Sequence, residues 1–111
     1  MYNLNKLVGG EIMSKHKLKG EYPSRRVWLD GELLDPAPSQ TLHNHSPDGF
    51  NWGYGGSGPA QLALAIMLKI YGEPNGYQSF KQAFIMDLPQ GRSFEIDFEL
   101  IDEDSENKTI Q

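Results

Sequence analysis

Between His43 and Gly58 the chain gathers most of its chemically capable residues, as His43-Asn44-His45-Ser46-Pro47-Asp48-Gly49-Phe50-Asn51-Trp52-Gly53-Tyr54-Gly55-Gly56-Ser57-Gly58. The last six contain a G-x-G-x-x-G pattern. A glycine-rich turn that opens a helix can cradle phosphate with backbone N–H groups, aided by the helix dipole. A dinucleotide fingerprint also needs a preceding strand, a second parallel strand and an acidic residue about 20 positions on, whereas Gln78 falls in the next helical segment. The competing reading is packing: the glycines let the chain pass between Trp52, Tyr54 and a buried helix where a Cβ would clash or φ must be positive. On either reading Gly55→Ala is expected to destabilise the fold. His43 and His45 lie two apart and would share one face of a strand, but His16 is the only other histidine, so no metal ligand is assigned. His45 and Ser46 are expected to hydrogen-bond the loop's own backbone. Ser57 lacks a nucleophile elbow and a third partner, and N-capping is its expected role. The candidate ligand contacts are therefore His45, Trp52, Tyr54, Gly55, Gly56, Ser57 and Gln61, with no catalytic residue and no cofactor. Of the alternating aromatics Phe50, Trp52 and Tyr54, the first two read as core and Tyr54 as the one at a wet edge.

A second candidate surface is acidic. Glu95, Asp97 and Glu99 alternate with Phe94, Ile96, Phe98 and Leu100, so on a strand they share one face at intervals of about 6.6–6.8 Å. That is close to the spacing of successive backbone phosphates, and such a face can imitate nucleic acid toward a basic protein partner. The plainer reading is a solvated sheet face that protects an edge strand. A basic counterpart, Lys15, Lys17, Lys19, Arg25 and Arg26, reads in the same way as a solvated strand face.

These residues need elements to hold them. Pro59 to Tyr71 is apolar nearly all round, which predicts a central, buried helix with Gly72 at its C-terminal cap. A second helix is expected from about Tyr77 to Leu88, with Tyr77, Phe80, Phe84 and Leu88 on one face. A short strand is expected over Lys17–Tyr22. Arg25–Leu29 and Glu32–Leu34 around Asp30-Gly31 form a hairpin through a type I′ turn, and Phe94–Leu100 is the closing strand. A long connection is expected from Asp35 to about Ser57, because Pro36 and Pro38 cannot donate to a ladder. The expected fold is α+β: a small antiparallel sheet, made of the N-terminal hairpin plus the C-terminal strand, packed on the buried Ala/Leu-rich helix and a second amphipathic helix.

From Asn44 to Ala65 the chain resembles a family of small proteins of unknown function from bacteria, archaea and their phages, marked by N-H-S-P-x-G-F-x-W-G-Y-G-G-S-G-P-A-Q-L-A-L-A. A weaker downstream pattern corresponds to Tyr77, Phe80-Lys81 and Leu88-Pro89, and Phe94 stands where that pattern often carries a tryptophan. The resemblance implies no activity or substrate.

At 111 residues the chain is one domain's worth, able to bury roughly 65% of its unfolded surface. We divide it into an N-terminal arm over 1–14, a globular domain over 15–101 and an acidic polar tail over 102–111. The codons of Gly9-Gly10-Glu11 can contain a purine-rich ribosome-binding sequence upstream of Met13, which makes Met13 an alternative start. Cysteine is absent, which excludes disulfides and thiolate zinc sites and suits a reducing compartment. With no export signal and no long apolar run, the expected location is the cytoplasm. The net charge of −5 lies wholly in the second half, where four Lys/Arg face nine Asp/Glu against six and six in residues 1–56. Direct nucleic-acid binding through a broad basic surface is therefore not expected, nor is a membrane partner. The leading expectation is a non-enzymatic interaction or accessory protein with a protein partner, and the alternative is a nucleotide- or anion-binding domain at the glycine loop.

Overall fold

The structure, a computed structural model, describes residues 3–8 and 11–102, and the side chains of 13–101. β2 (Glu11–Glu21) is the axis of the sheet. β5 (Phe94–Asp102) runs antiparallel along one of its edges, from Ile12↔Asp102 to Gly20↔Phe94. The other edge is shared end to end by β1 (Asn3–Val8), against Glu11–Lys15, and β3 (Arg26–Leu29), against Leu18–Glu21. β4 (Glu32–Leu33) closes a hairpin with β3. Asp30 and Gly31 have φ of 53° and 86°, the two left-handed positions that a type I′ turn demands. The expected α+β fold is the one observed.

Three segments depart from the sequence expectation. Within the region read as an arm, Asn3–Val8 and the start of β2 are paired strands, so their backbone donors and acceptors satisfy one another. The region read as one long connection contains α1 (Ala37–Leu42). Pro36 is its N-cap and Pro38 lies within its first turn, where a missing N–H costs nothing, and Asp35 Oδ1 accepts from the Ala37 N–H at 2.9 Å. The second predicted helix is shorter than its pattern: α3 (Tyr77–Phe80) passes into a π-helical turn, Lys81–Ile85, with the Met86 N–H donating to Lys81 O. The polar tail beyond Asp102 lies outside the described residues.

α2 (Ser57–Tyr71) is the predicted buried helix, and every residue from Gly58 to Met67 is buried. Gly72 ends it at φ 77°, its N–H donating to Leu68 O at 2.8 Å. The alternation of β5 is seen directly: Phe94 and Phe98 are buried, and Glu95, Asp97 and Glu99 are exposed. One apolar cluster joins Leu18, Val27 and Leu29 of the sheet to Leu62, Ala63 and Ile66 of α2 and to Trp52, Phe80 and Phe94. Interiors at crystal-like density have no room for added methylenes. Ala63→Leu, at a fully buried position, is therefore expected to destabilise by about 2 kcal/mol, read from the urea midpoint at unchanged slope.

Candidate functional site

The segment from His43 to Gly58 wraps the entrance to α2, and its His45 and Trp52 side chains bond elsewhere within the chain. Gln61, fully buried on the first turns of α2, accepts from the Ser46 N–H at 2.8 Å and donates to Ser39 Oγ at 2.9 Å and to His43 O at 3.1 Å. It fastens α1 and the His43–Ser46 strap to the central helix, and all its contacts are internal. Gln40 secures the same strap by donating to Ser46 O at 2.8 Å. Trp52 is fully buried, its indole N–H donates to Arg92 O at 2.9 Å, and Phe94 stands edge-on to its ring at 4.9 Å. Phe50 is buried and Tyr54 half-buried, as their expected roles require.

The glycines are held by neighbours. Gly53 has φ 87°, and a Cβ there would lie 2.5 Å from Gln90 Cα and 2.7 Å from Leu88 O. At Gly56 a Cβ would enter the Tyr54 ring, which lies across the loop. Gly55 differs: its φ is not positive, and a Cβ would meet only the flexible end of Met86, Cε at 3.0 Å and Sδ at 3.5 Å. Ser57 is not the N-cap. It stands inside the first turn, Gly56 occupies the cap, and no side chain caps the helix.

His45 makes a different contact from either one anticipated. Its Nε2 is hydrogen-bonded to the Tyr77 hydroxyl at 2.8 Å, and its ring stacks on His43 at 3.9 Å with an interplanar angle of 8°. Ring nitrogens point in the ring plane, so two parallel stacked imidazoles do not converge on one ion. Among the described residues no group of three or more His, Asp or Glu is placed to hold a metal. Burial, then the adjacent His43 and Lys81, hold the His45 imidazole below its ordinary value of 6.5.

That depression has a sign. Below pH 6.5 the unfolded chain takes up a proton that the folded one resists, so the stability His45 contributes is present above that value and lost as pH falls beneath it. The melting temperature, followed between about pH 5 and pH 8, is expected to fall at the acid end. His45→Gln, which keeps a polar group for Tyr77 but does not titrate, is expected to flatten that limb. An equal acid limb in both proteins would contradict this.

The acidic strand face is not uniformly acidic. Lys15 lies opposite Glu99, Lys17 opposite Asp97 and Lys19 opposite Glu95, and Lys17 Nζ is 3.5 Å from Glu95 and 3.9 Å from Asp97. Three acids and three lysines make an exposed charge ladder in place of a row of negative charge. The basic patch read from Lys15, Lys17 and Lys19 is the other half of that ladder.

One arrangement escaped the sequence reading. Asp30 Oδ2 lies 2.8 Å from His16 Nδ1, and His16 Nε2 lies 3.1 Å from Ser14 Oγ. These are Ser-His-Asp distances, but Ser14 is fully buried and His16 is 2% exposed, so the hydroxyl has no path to a substrate. The group joins β2 to the β3–β4 turn, and Asp30 Oδ1 also accepts the Lys17 N–H at 2.9 Å. The signal was the i, i+2 spacing of Ser14 and His16, which shares a strand face, with the aspartate of the hairpin turn beside it.

A family model, that of the family of unknown function DUF6166, matches residues 18–106. It takes in the glycine loop, α2 and β5, and begins beyond Ser14 and His16. No curated protein and no solved structure matches the chain.

Proposed function

The chain belongs to the DUF6166 family, and from that premise we propose that it is a non-enzymatic interaction protein of the cytoplasm whose glycine-rich motif serves the fold. The observation that carries this reading is the internal engagement of the motif. Gln61, Ser46, His45 and Trp52 all bond within the chain, and Gln90 and the Tyr54 ring occupy the space beside Gly53 and Gly56. Among the described residues the Ser14-His16-Asp30 group is closed to a substrate by the burial of Ser14 and His16. Among the described residues no helix is long and apolar enough to cross a membrane.

The contact surface we favour for a protein partner is the charge ladder. Its side chains are more than half exposed at Lys17, Glu95 and Asp97, and alternating charge on an exposed sheet face selects a partner with the complementary pattern. Exposed ion pairs contribute little to folding, about 0–1 kcal/mol each, so the face can be altered without unfolding the protein. The test is crosslinked capture with the full chain as bait, beside a Glu95→Lys, Asp97→Lys, Glu99→Lys triple variant. A protein recovered by the native chain and lost by the folded variant is the expected result; recovery of the same proteins by both, or of none, contradicts the reading.

A second reading keeps the glycine loop as an anion or nucleotide site, with Gly55, Gly56 and Ser57 as contacts. It is favoured by one feature: the 15-residue α2 has no side-chain cap at its N-terminus, where N–H groups and the helix dipole attract negative charge.

A further inference from the structure

Away from the glycine loop, a cleft of about 380 Å³ opens against the turn between β2 and β3. It shares Leu33, Leu34 and Asp35 with a second cleft of about 220 Å³ beside α2. Phe50 and Leu34, 3% and 7% exposed, give it an apolar base. Its charged lining is mixed: Arg25 comes from the turn, Arg26 from the start of β3, Asp35 from the segment after β4 and Asp48 from the loop before α2.

Two features set this cleft apart. Among the described residues no ion pair engages any of the four charged side chains, although opposite signs line one cavity. Nor, among the described residues, does a hydrogen bond satisfy the side chains of Arg25, Arg26 or Asp48, the Arg26 bond to Ser24 Oγ being made by its backbone N–H, and Asp35 uses only Oδ1, for the Ala37 N–H. Second, Arg25 is held at φ 65°, with its N–H donating to Glu21 O at 2.6 Å. A left-handed conformation is strained for a residue with a Cβ, and strain of this kind gathers at binding sites.

We propose that this cleft binds a small zwitterion with an apolar body, an amino acid or a dipeptide. The carboxylate is received by the guanidinium groups of Arg25 and Arg26, whose fork geometry matches it. The ammonium is received by Asp48 and the unused oxygen of Asp35, and the apolar body rests on Phe50 and Leu34. A lone anion meets the two carboxylates and a lone cation the two guanidiniums, so only a ligand with both signs is favoured at both ends. The volume lies in the range of small-molecule sites, roughly 300–1,000 Å³.

The test is an amide chemical-shift titration of the full chain with L-leucine, leucyl-leucine, 4-methylpentanoate and 3-methylbutylamine. Saturable shifts at Arg25–Val27 and Asp48–Phe50 are expected with at least one zwitterion, and the tighter of the two reports the ligand's length. The singly charged analogues are expected to bind about tenfold or more weakly. Arg26→Gln and Asp48→Asn, at exposed and unpaired side chains, are each expected to weaken the zwitterion about tenfold with the melting temperature unchanged. Absence of saturation by both zwitterions up to roughly 10 mM, equal binding of the carboxylate analogue, or unchanged affinity in Arg26→Gln overturns the proposal.

Discussion

Gly53→Ala is expected to destabilise the protein by about 3 kcal/mol or more, a large share of the roughly 5–15 kcal/mol that holds a domain together. Two costs add. The φ of 87° at Gly53 is one a Cβ penalises by about 1–2 kcal/mol, and the new methyl would sit 2.5 Å from the Gln90 backbone, which cannot swing aside as a side chain can. Relieving that overlap requires the Leu88–Gln90 segment to move, a cost of the overpacking kind, about 1–3 kcal/mol. The Gly53 N–H to Ile85 O bond, 3.0 Å, goes with it. Gly55→Ala is the control inside the same motif. Its Cβ meets only the flexible end of Met86, so a change within about 0.5 kcal/mol is expected, contrary to the destabilisation its sequence context suggests. Urea midpoints of the two variants decide the matter, and equal losses would show that close backbone approach is not what the glycines serve.

Gln61→Met is expected to cost about 3 kcal/mol although it nearly preserves volume. The side chain is fully buried and holds three partners, and a buried donor or acceptor left unmet costs about 1–3 kcal/mol. The Ser46 N–H and His43 C=O are the groups exposed to that penalty. Because the damage is confined to the strap, the Ser46 amide is expected to lose hydrogen-exchange protection while β2 and β5 retain theirs. Loss of stability with protection lowered evenly across the molecule would contradict the clamp.

The elements that were legible in the sequence are those whose pattern is decided locally. α2 shows itself by an apolar run longer than a strand and β5 by strict alternation, and the Asp30-Gly31 turn by the one residue pair that suits two left-handed positions. α1 was hidden because two prolines read as a break, although the first turn of a helix accepts them. At the glycine-rich segment the sequence shows which residues gather but not which neighbours they meet. A glycine beside Tyr54 and a glycine beside a phosphate look the same in one dimension, and the presence of the Tyr54 ring over Gly56 depends on how the loop folds back. A polar residue in an apolar helix asks for a partner, and the sequence does not say that Gln61 finds the strap and Ser39. Glu95, Asp97 and Glu99 read as an acidic row because register is invisible until β2 is laid beside β5, where each acid stands opposite a lysine.

The central claim, that the glycine-rich motif builds the fold and does not cradle an anion, is tested most directly by thermal shift against nucleotides, phosphorylated metabolites and simple anions. A ligand at 100 times its dissociation constant adds about 2.7 kcal/mol, which raises the melting temperature of a domain this size by several degrees. No rise is the expected result. A reproducible rise that Ser57→Asp abolishes, by setting a fixed carboxylate at the start of α2 without lowering the melting temperature of the free protein, would contradict the claim and make the loop a binding site.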